Sequence, residues 1–80
     1  MQVTNIQVIF LNGYSGWNVE RTKTKQISGE FNPDLCLEAF NSLEGEDIDD
    51  INDLSGEDPV IKGNVITCMG EEGGIIFVGS

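Results

Sequence analysis

The sequence has no histidine, and its four lysines and arginines are far outnumbered by fourteen aspartates and glutamates. Without histidine, the Ser-His-Asp and Cys-His catalytic arrangements and most catalytic zinc sites are excluded. Paired carboxylates can hydrolyse glycosides, but a chain of 80 residues has little volume for the substrate cleft that this chemistry requires. We therefore expect a protein that is not an enzyme and that has no catalytic residues, cofactor, metal site or small-molecule ligand.

Cysteine is scarce as well. The two cysteines, Cys36 and Cys68, lie in apolar patterns and do not form a C-x-x-C pair. This placement favours buried, reduced thiols over a metal site or a redox centre. A disulfide between the two is the alternative.

The chain also lacks long hydrophobic runs. The longest apolar run near its start, residues 8–11, is too short for a signal-peptide core or a membrane span, and no basic residue precedes it. We expect a cytoplasmic protein without a membrane partner. Eighty residues without a repeat, a low-complexity tract or a linker predict a single domain, 1–80.

The formal net charge of −10 is larger in magnitude than the roughly 2–8 that is sufficient for the solubility of a small domain. The charge is unevenly distributed, because residues 1–29 have three basic residues and one acidic residue (+2), whereas residues 30–80 have one basic and thirteen acidic residues (−12). Direct binding to nucleic acid requires a basic stripe, which this chain does not have. The composition therefore indicates a basic protein surface as the partner.

Alternating apolar residues predict an interior strand over 3–11, followed by a glycine-containing loop over 12–16. In the returning strand, 17–28, basic residues alternate with threonines, so neither face can be buried over its middle. We expect this to be an exposed or edge strand. Its basic residues would then protect the edge from aggregation, or else bind a partner.

Residues 32–34, Asn-Pro-Asp, are typical of a helix start, because Asn caps free amides, Pro suits the first helical position and Asp complements the helix dipole. Gly45 is well placed to end the helix. An apolar stripe at helical spacing predicts that the helix packs on the sheet, and its members are Cys36, Ala39, Phe40 and Leu43.

Residues 60–69 and 75–78 predict a second hairpin with its turn at 70–74. The last strand is apolar on both faces, so we expect it to be central and next to the first strand. The predicted fold is α+β, with two layers: a four-stranded, largely antiparallel sheet made of two β-hairpins, and one main helix over about 33–44 across one face. The spacing of Ile48, Ile51 and Leu54 is compatible with a short second helix or 3₁₀ segment over about 46–54.

Carboxylates crowd the region between this helix and the second hairpin. They do not fit an EF-hand, because starting the loop at Asp47 places Ile51 at position 5, where an acid is needed. A weak calcium-binding module is one alternative. The other is a partner-binding surface, since acids spaced along a short helix can imitate the phosphates of a nucleic acid. The candidate residues are Glu44, Glu46, Asp47, Asp49, Asp50, Asp53, Glu57 and Asp58, with Glu71 and Glu72 in the second hairpin as auxiliaries.

In its length, acidity, absence of catalytic residues and compact α/β pattern, the chain resembles the small phage and mobile-element proteins that inhibit nucleic-acid enzymes. These include anti-CRISPR, anti-restriction and uracil-DNA glycosylase inhibitor proteins. The resemblance is one of kind, without a shared motif, and it carries over no residues. It implies a stoichiometric inhibitor that docks carboxylates in the basic groove of a nucleic-acid-handling enzyme, and a location in the host cytoplasm if a phage encodes the protein.

A second hypothesis is an immunity protein or accessory subunit that binds its partner through the exposed strand 17–28 by edge pairing. Aromatic residues beside the loop would anchor such an interface, and basic residues of the strand would line it. The candidate residues are Tyr14, Trp17, Arg21, Lys23 and Lys25.

Overall fold

The computed structural model describes residues 2–13, 18–54, 58–70 and 73–80. These residues form an α+β fold in which one α-helix packs on an antiparallel sheet of five strands. The elements follow one another as β1 (Val3–Asn12), β2 (Asn18–Ser28), α1 (Pro33–Glu44), a 3₁₀ helix (Ile51–Leu54), β3 (Val60–Lys62), β4 (Val65–Met69) and β5 (Gly73–Gly79).

The strands lie in the order β2-β1-β5-β4-β3. The last strand is therefore central and pairs with the first, with Val8 opposite Phe77, as its apolar character on both faces predicted. The edge position predicted for the returning strand is also confirmed: β2 pairs with β1 and lies at the end of the sheet. The predicted interior position of β1 is confirmed as well.

The prediction of four strands was wrong, because residues 60–69 do not form a single strand. A two-residue turn at Gly63 and Asn64 folds them into the β3–β4 hairpin, in which Lys62 pairs with Val65. Gly63 has a φ of 58°, a left-handed conformation that suits glycine in such a turn. The Gly-Asn dipeptide is a hairpin signal, but the apolar residues that alternate around it also fit one continuous strand.

The helix has the predicted bounds for the predicted physical reasons. The side chain of Asn32 accepts a hydrogen bond from the backbone N–H of Leu35 at 2.8 Å, and Pro33 occupies the first turn. Gly45 ends the helix in the left-handed conformation, with a φ of 67°. Within the described part of the chain, no helix is long and apolar enough to cross a membrane.

The hydrophobic core lies between α1 and one face of the sheet. Three of the four stripe residues are buried there, and the fourth, Leu43, is half-buried against them. Leu35 and Leu37 are also buried, so the helix is covered over a wider arc than the narrow stripe predicted. The buried core cluster contains Ile6, Val8, Phe10, Leu35, Cys36, Ala39, Phe40, Ile66, Cys68 and Phe77.

Candidate partner-binding surfaces

The segment that follows the helix, residues 46–58 and called here the acidic segment, separates its apolar from its charged side chains. Ile48, Ile51 and Leu54 are half-buried and pack against the core cluster. Six carboxylates of the segment lie within the described residues, and all six are exposed: Glu46, Asp47, Asp49, Asp50, Asp53 and Asp58. The three-residue spacing thus directs the apolar residues inward and the acids toward solvent. A helix over 46–54 is confirmed only as the 3₁₀ turn Ile51–Leu54.

Asn41 on α1 fixes the start of the acidic segment. Its side-chain amide donates to the carbonyl of Ile48 at 3.0 Å, and its side-chain oxygen accepts from the N–H of the same residue at 3.1 Å. The N–H of Glu46 adds a bond to the Asn41 carbonyl at 3.1 Å. Residues 46–48 are therefore attached to the helix by hydrogen bonds as well as by apolar contact, which orders the backbone that carries the first carboxylates.

Asp50 has a structural role in addition to its charge. Its side chain accepts from the backbone N–H of Asn52 at 3.0 Å and from that residue's side-chain amide at 3.1 Å. Its carbonyl accepts from the N–H of Asp53 at 2.9 Å. Asp50 thus organises the start of the 3₁₀ turn, in the manner of a capping residue.

Glu44, the first carboxylate among the predicted partner-binding residues, is engaged within the protein. It forms ion pairs with Arg21 and Lys23 of β2, and its side chain is only 13% exposed. The hydrogen bond from Lys23, together with the charges of both basic residues, lowers the pKa of Glu44 below its ordinary value. The sequence-based hypotheses place Glu44 in one interface and Arg21 and Lys23 in another, whereas the fold joins all three at the contact between α1 and β2.

The basic residues of β2 face the helix side of the sheet. Arg21 lies over the ring of Phe10, with its guanidinium carbon 4.2 Å from the ring centre, an arrangement that favours a cation–π interaction. Lys25 is half-buried opposite Ile6. Because Arg21 and Lys23 stabilise the α1–β2 contact, their presence on the edge strand has a structural explanation.

The opposite face of the sheet points away from α1 and is called here the open face. It is not among the binding surfaces predicted from the sequence. The strand registers align its side chains in three cross-strand rows. The rows are Thr22-Ile9-Ile76-Thr67-Val60, then Thr24-Gln7-Val78-Val65-Lys62, and finally Val19-Leu11-Gly74-Met69. The centre of the face is apolar except for Gln7, and none of the three rows contains a carboxylate.

Exposure is greatest at the two lateral edges of the open face. Val19 on β2 is 61% exposed and Val60 on β3 is 52% exposed, whereas Val65, on the inner strand β4, is 36% exposed. A shallow cavity of about 410 Å³ lies at the β3–β4 end, lined by Val60, Lys62, Val65 and Thr67. The sequence signal for this surface was the last strand, which is apolar on both faces although a single predicted helix can cover only one of them.

Five of the predicted binding residues lie outside the described part of the chain: Tyr14, Trp17, Glu57, Glu71 and Glu72. Among the residues the structure describes, no three or more Cys, Asp or Glu side chains converge to form a cation site. The weak calcium-binding module therefore has no geometric support from these residues.

The two cysteines are free thiols, and both are fully buried in the core. Burial raises the pKa of Cys36 to about 12, with a further contribution from the neighbouring Cys68. Burial likewise raises the pKa of Cys68 to about 11. Both thiols are therefore protonated at neutral pH and poorly nucleophilic, as expected for core residues rather than reactive ones.

Comparison of the chain with protein-family models, with curated proteins and with solved structures finds no match. We therefore infer the function from the surfaces described above.

Proposed function

We propose that this protein is a non-catalytic inhibitor that binds the basic groove of a nucleic-acid-handling enzyme through its acidic segment. One observation carries the proposal: the carboxylates of residues 46–53 are exposed on a backbone that apolar anchors and hydrogen bonds hold in place. An ordered row of charges loses less conformational entropy on binding than a flexible acidic tail does. A phage or mobile-element protein of the counter-defence type, such as an anti-CRISPR or anti-restriction protein, would act in this way.

The distribution of ion pairs supports the same surface. Within the described residues, the only carboxylate in an ion pair is Glu44, and it lies at the junction with β2 rather than in the acidic segment. The exposed carboxylates of the segment are therefore not neutralised by basic side chains of the described chain. Their field would steer the protein toward a positively charged groove, which accelerates association more than it strengthens the final complex.

The test is charge reversal of three exposed carboxylates that have no capping role, in the triple variant Asp47→Lys, Asp49→Lys and Asp53→Lys. Asp50 is left unchanged because its side chain organises the 3₁₀ turn. A partner is first captured from host lysate at low salt, and its association rate with each variant is then measured by surface plasmon resonance. We expect the rate to fall by about 10- to 1,000-fold at low salt, and the difference to shrink at high salt.

The matched control reverses three exposed carboxylates elsewhere, in the triple variant Glu20→Lys, Glu30→Lys and Glu38→Lys. It changes the net charge by the same amount, so it separates a local docking surface from a general effect of charge. Equal association rates for the two triple variants would contradict the proposal. So would a complex in which the carboxylates of residues 46–53 remain in bulk water.

A second candidate function is an accessory subunit or immunity protein that binds through the outer edge of β2. The observation that favours it is that β2, eleven residues long, pairs only with β1 in the described sheet. An exposed edge of this length can accept a strand from another protein. Here Trp17→Ala should abolish capture of the partner while the acidic-segment variant binds normally; the opposite result would favour the carboxylates.

A further inference from the structure

We propose that the open face packs against the same face of a second copy of this chain, forming a symmetric dimer. The dimer would be a face-to-face sandwich of two sheets, each with its helix on the outside. This inference uses a surface other than the acidic segment, and it stands or falls independently of the proposed inhibition.

The composition of the open face is typical of a sheet face that is covered. Its centre is formed by Ile9 and Leu11 of β1, Ile76 and Val78 of β5, and Val65 of β4, with Gln7 of β1 as the polar neighbour of Val78. In a two-layer fold, a sheet face that meets only water usually alternates in its polarity with the buried face. Here both faces of the central strand are apolar, which is the composition of a sheet covered on both sides.

The distribution of charge favours a second copy over a basic partner at the open face. A chain with a net charge of −10 repels its own copy, so self-association requires a surface that is free of acidic groups. Within the five strands the only acidic residue is Glu20, at the bulged position of the edge strand, and it belongs to none of the three rows. Face-to-face packing would therefore place the two acidic layers on opposite outer sides of the dimer. A basic partner, in contrast, would be drawn to those outer sides.

The area of the open face is large enough for a weak dimer. Five strands spaced at about 4.8 Å and three rows spaced at about 6.7 Å give a face of roughly 24 by 20 Å. Two such faces offer roughly 1,000 Å², which is near the lower limit for a specific interface. The dimer is therefore expected to be weak and to depend on protein concentration.

The test is sedimentation equilibrium of the full chain and of three single variants. The mass should rise with concentration from 8.7 kDa toward twice that value, and added salt should strengthen the dimer because it screens the repulsion between the two copies. Val65→Glu places one carboxylate from each copy in the interface, so dimer affinity should fall by at least about tenfold. Val60→Glu, at a more exposed position of the same face, is the second variant, in case the first does not fold.

Ser42→Glu is the matched control, because it adds the same charge at an exposed position on the helix layer. It should leave the dimer affinity nearly unchanged. If Ser42→Glu weakens the dimer as much as Val65→Glu does, or if neither glutamate on the open face affects it, the interface lies elsewhere and the proposal is wrong. A chain that stays monomeric at every concentration overturns it as well, and leaves the open face to a different partner.

Crosslinking provides a second measurement. Both native cysteines are fully buried, so a thiol reagent should react mainly with a cysteine introduced at the surface. Thr67→Cys lies on the open face, and a flexible bismaleimide crosslinker should link two copies of it faster than two copies of Ser42→Cys on the helix. The flexible crosslinker is chosen because a direct disulfide would require the two thiols to meet at the symmetry axis. Equal rates for the two variants would contradict face-to-face packing.

Discussion

The two faces of the sheet are formed by alternate residues of the same strands, but only one of them is covered. On the covered face, Phe77 is fully buried in the core cluster between Val8 and Ile66. On the open face, its neighbour Ile76 is only half-buried between Ile9 and Thr67. An apolar strand therefore predicts that both of its faces avoid water, but it does not predict that both are covered within the chain. With a single helix, only one face of the sheet is covered.

Charge follows the same division. The acidic segment and the ion pairs of Glu44 lie on the helix side, together with the apolar anchors that order them. The open face has no carboxylate in its three rows. The molecule therefore has two surfaces of opposite physical character, one suited to electrostatic steering and one suited to apolar packing.

The largest effect should come from truncating the covered face. Phe77→Ala removes a fully buried aromatic ring and should lower the free energy of unfolding by about 3–5 kcal/mol. Ile76→Thr, one residue earlier on the open face, keeps a β-branched side chain and should cost no more than about 1 kcal/mol in the monomer. Urea denaturation at low protein concentration measures both. Similar losses for the two variants would mean that the open face is covered within the chain.

Features with strong local signals were predictable from sequence. The helix was placed correctly because its cap residues, its first proline and its terminal glycine act on the backbone within a few residues. The edge position of β2 followed from alternating charges that neither face could bury. The central position of β5 followed from four consecutive apolar residues, 75–78.

Features that depend on contacts between distant residues were not predictable. The ion pairs of Glu44 with Arg21 and Lys23 require the helix end to lie over β2, a contact across more than twenty positions of sequence. The turn at residues 63–64 was missed because Ile61, Val65 and Met69, on both sides of it, are spaced so that they also fit one face of a single continuous strand. The open face emerges only when the strand order aligns three rows of side chains from strands that are distant in sequence.

A smaller effect should come from releasing the acidic segment from the helix. Asn41→Ala removes both side-chain hydrogen bonds to Ile48 and leaves a half-buried backbone amide and carbonyl without these partners. The expected loss of stability is about 1–3 kcal/mol. Amide hydrogen exchange measures this: the N–H of Ile48 should exchange faster in Asn41→Ala than in the unmodified chain, and its acceleration should exceed that at buried positions of the sheet.

If Asn41→Ala also slows association with a basic partner, the order of the acidic segment contributes to binding and not only to stability. The control is Asn52→Ala, which removes a side-chain bond to Asp50 within the exposed turn. It should leave the exchange at Ile48 unchanged. Equal acceleration in both variants would show that Asn41 does not specifically anchor the segment.

The smallest effect concerns the junction between α1 and β2, and it appears as a dependence on pH. The pKa of Glu44 is lower in the folded protein than its ordinary value of 4.5, mainly because Lys23 donates a hydrogen bond to its carboxylate. The unfolded chain therefore binds this proton more readily, so the stabilisation is fully present above pH 4.5 and is lost as the pH falls through the lowered pKa. Glu44→Gln should reduce the stability at pH 7 slightly and flatten the decline of the unfolding midpoint between pH 5 and the acid limit of folding.

Glu38→Gln, an exposed position on the same helix, is the matched control and should leave that decline as it is in the unmodified chain. If Glu44→Gln and the unmodified chain lose stability along the same curve, the ion pairs with β2 do not persist in solution, and β2 would be held by its pairing with β1 and by apolar contacts alone.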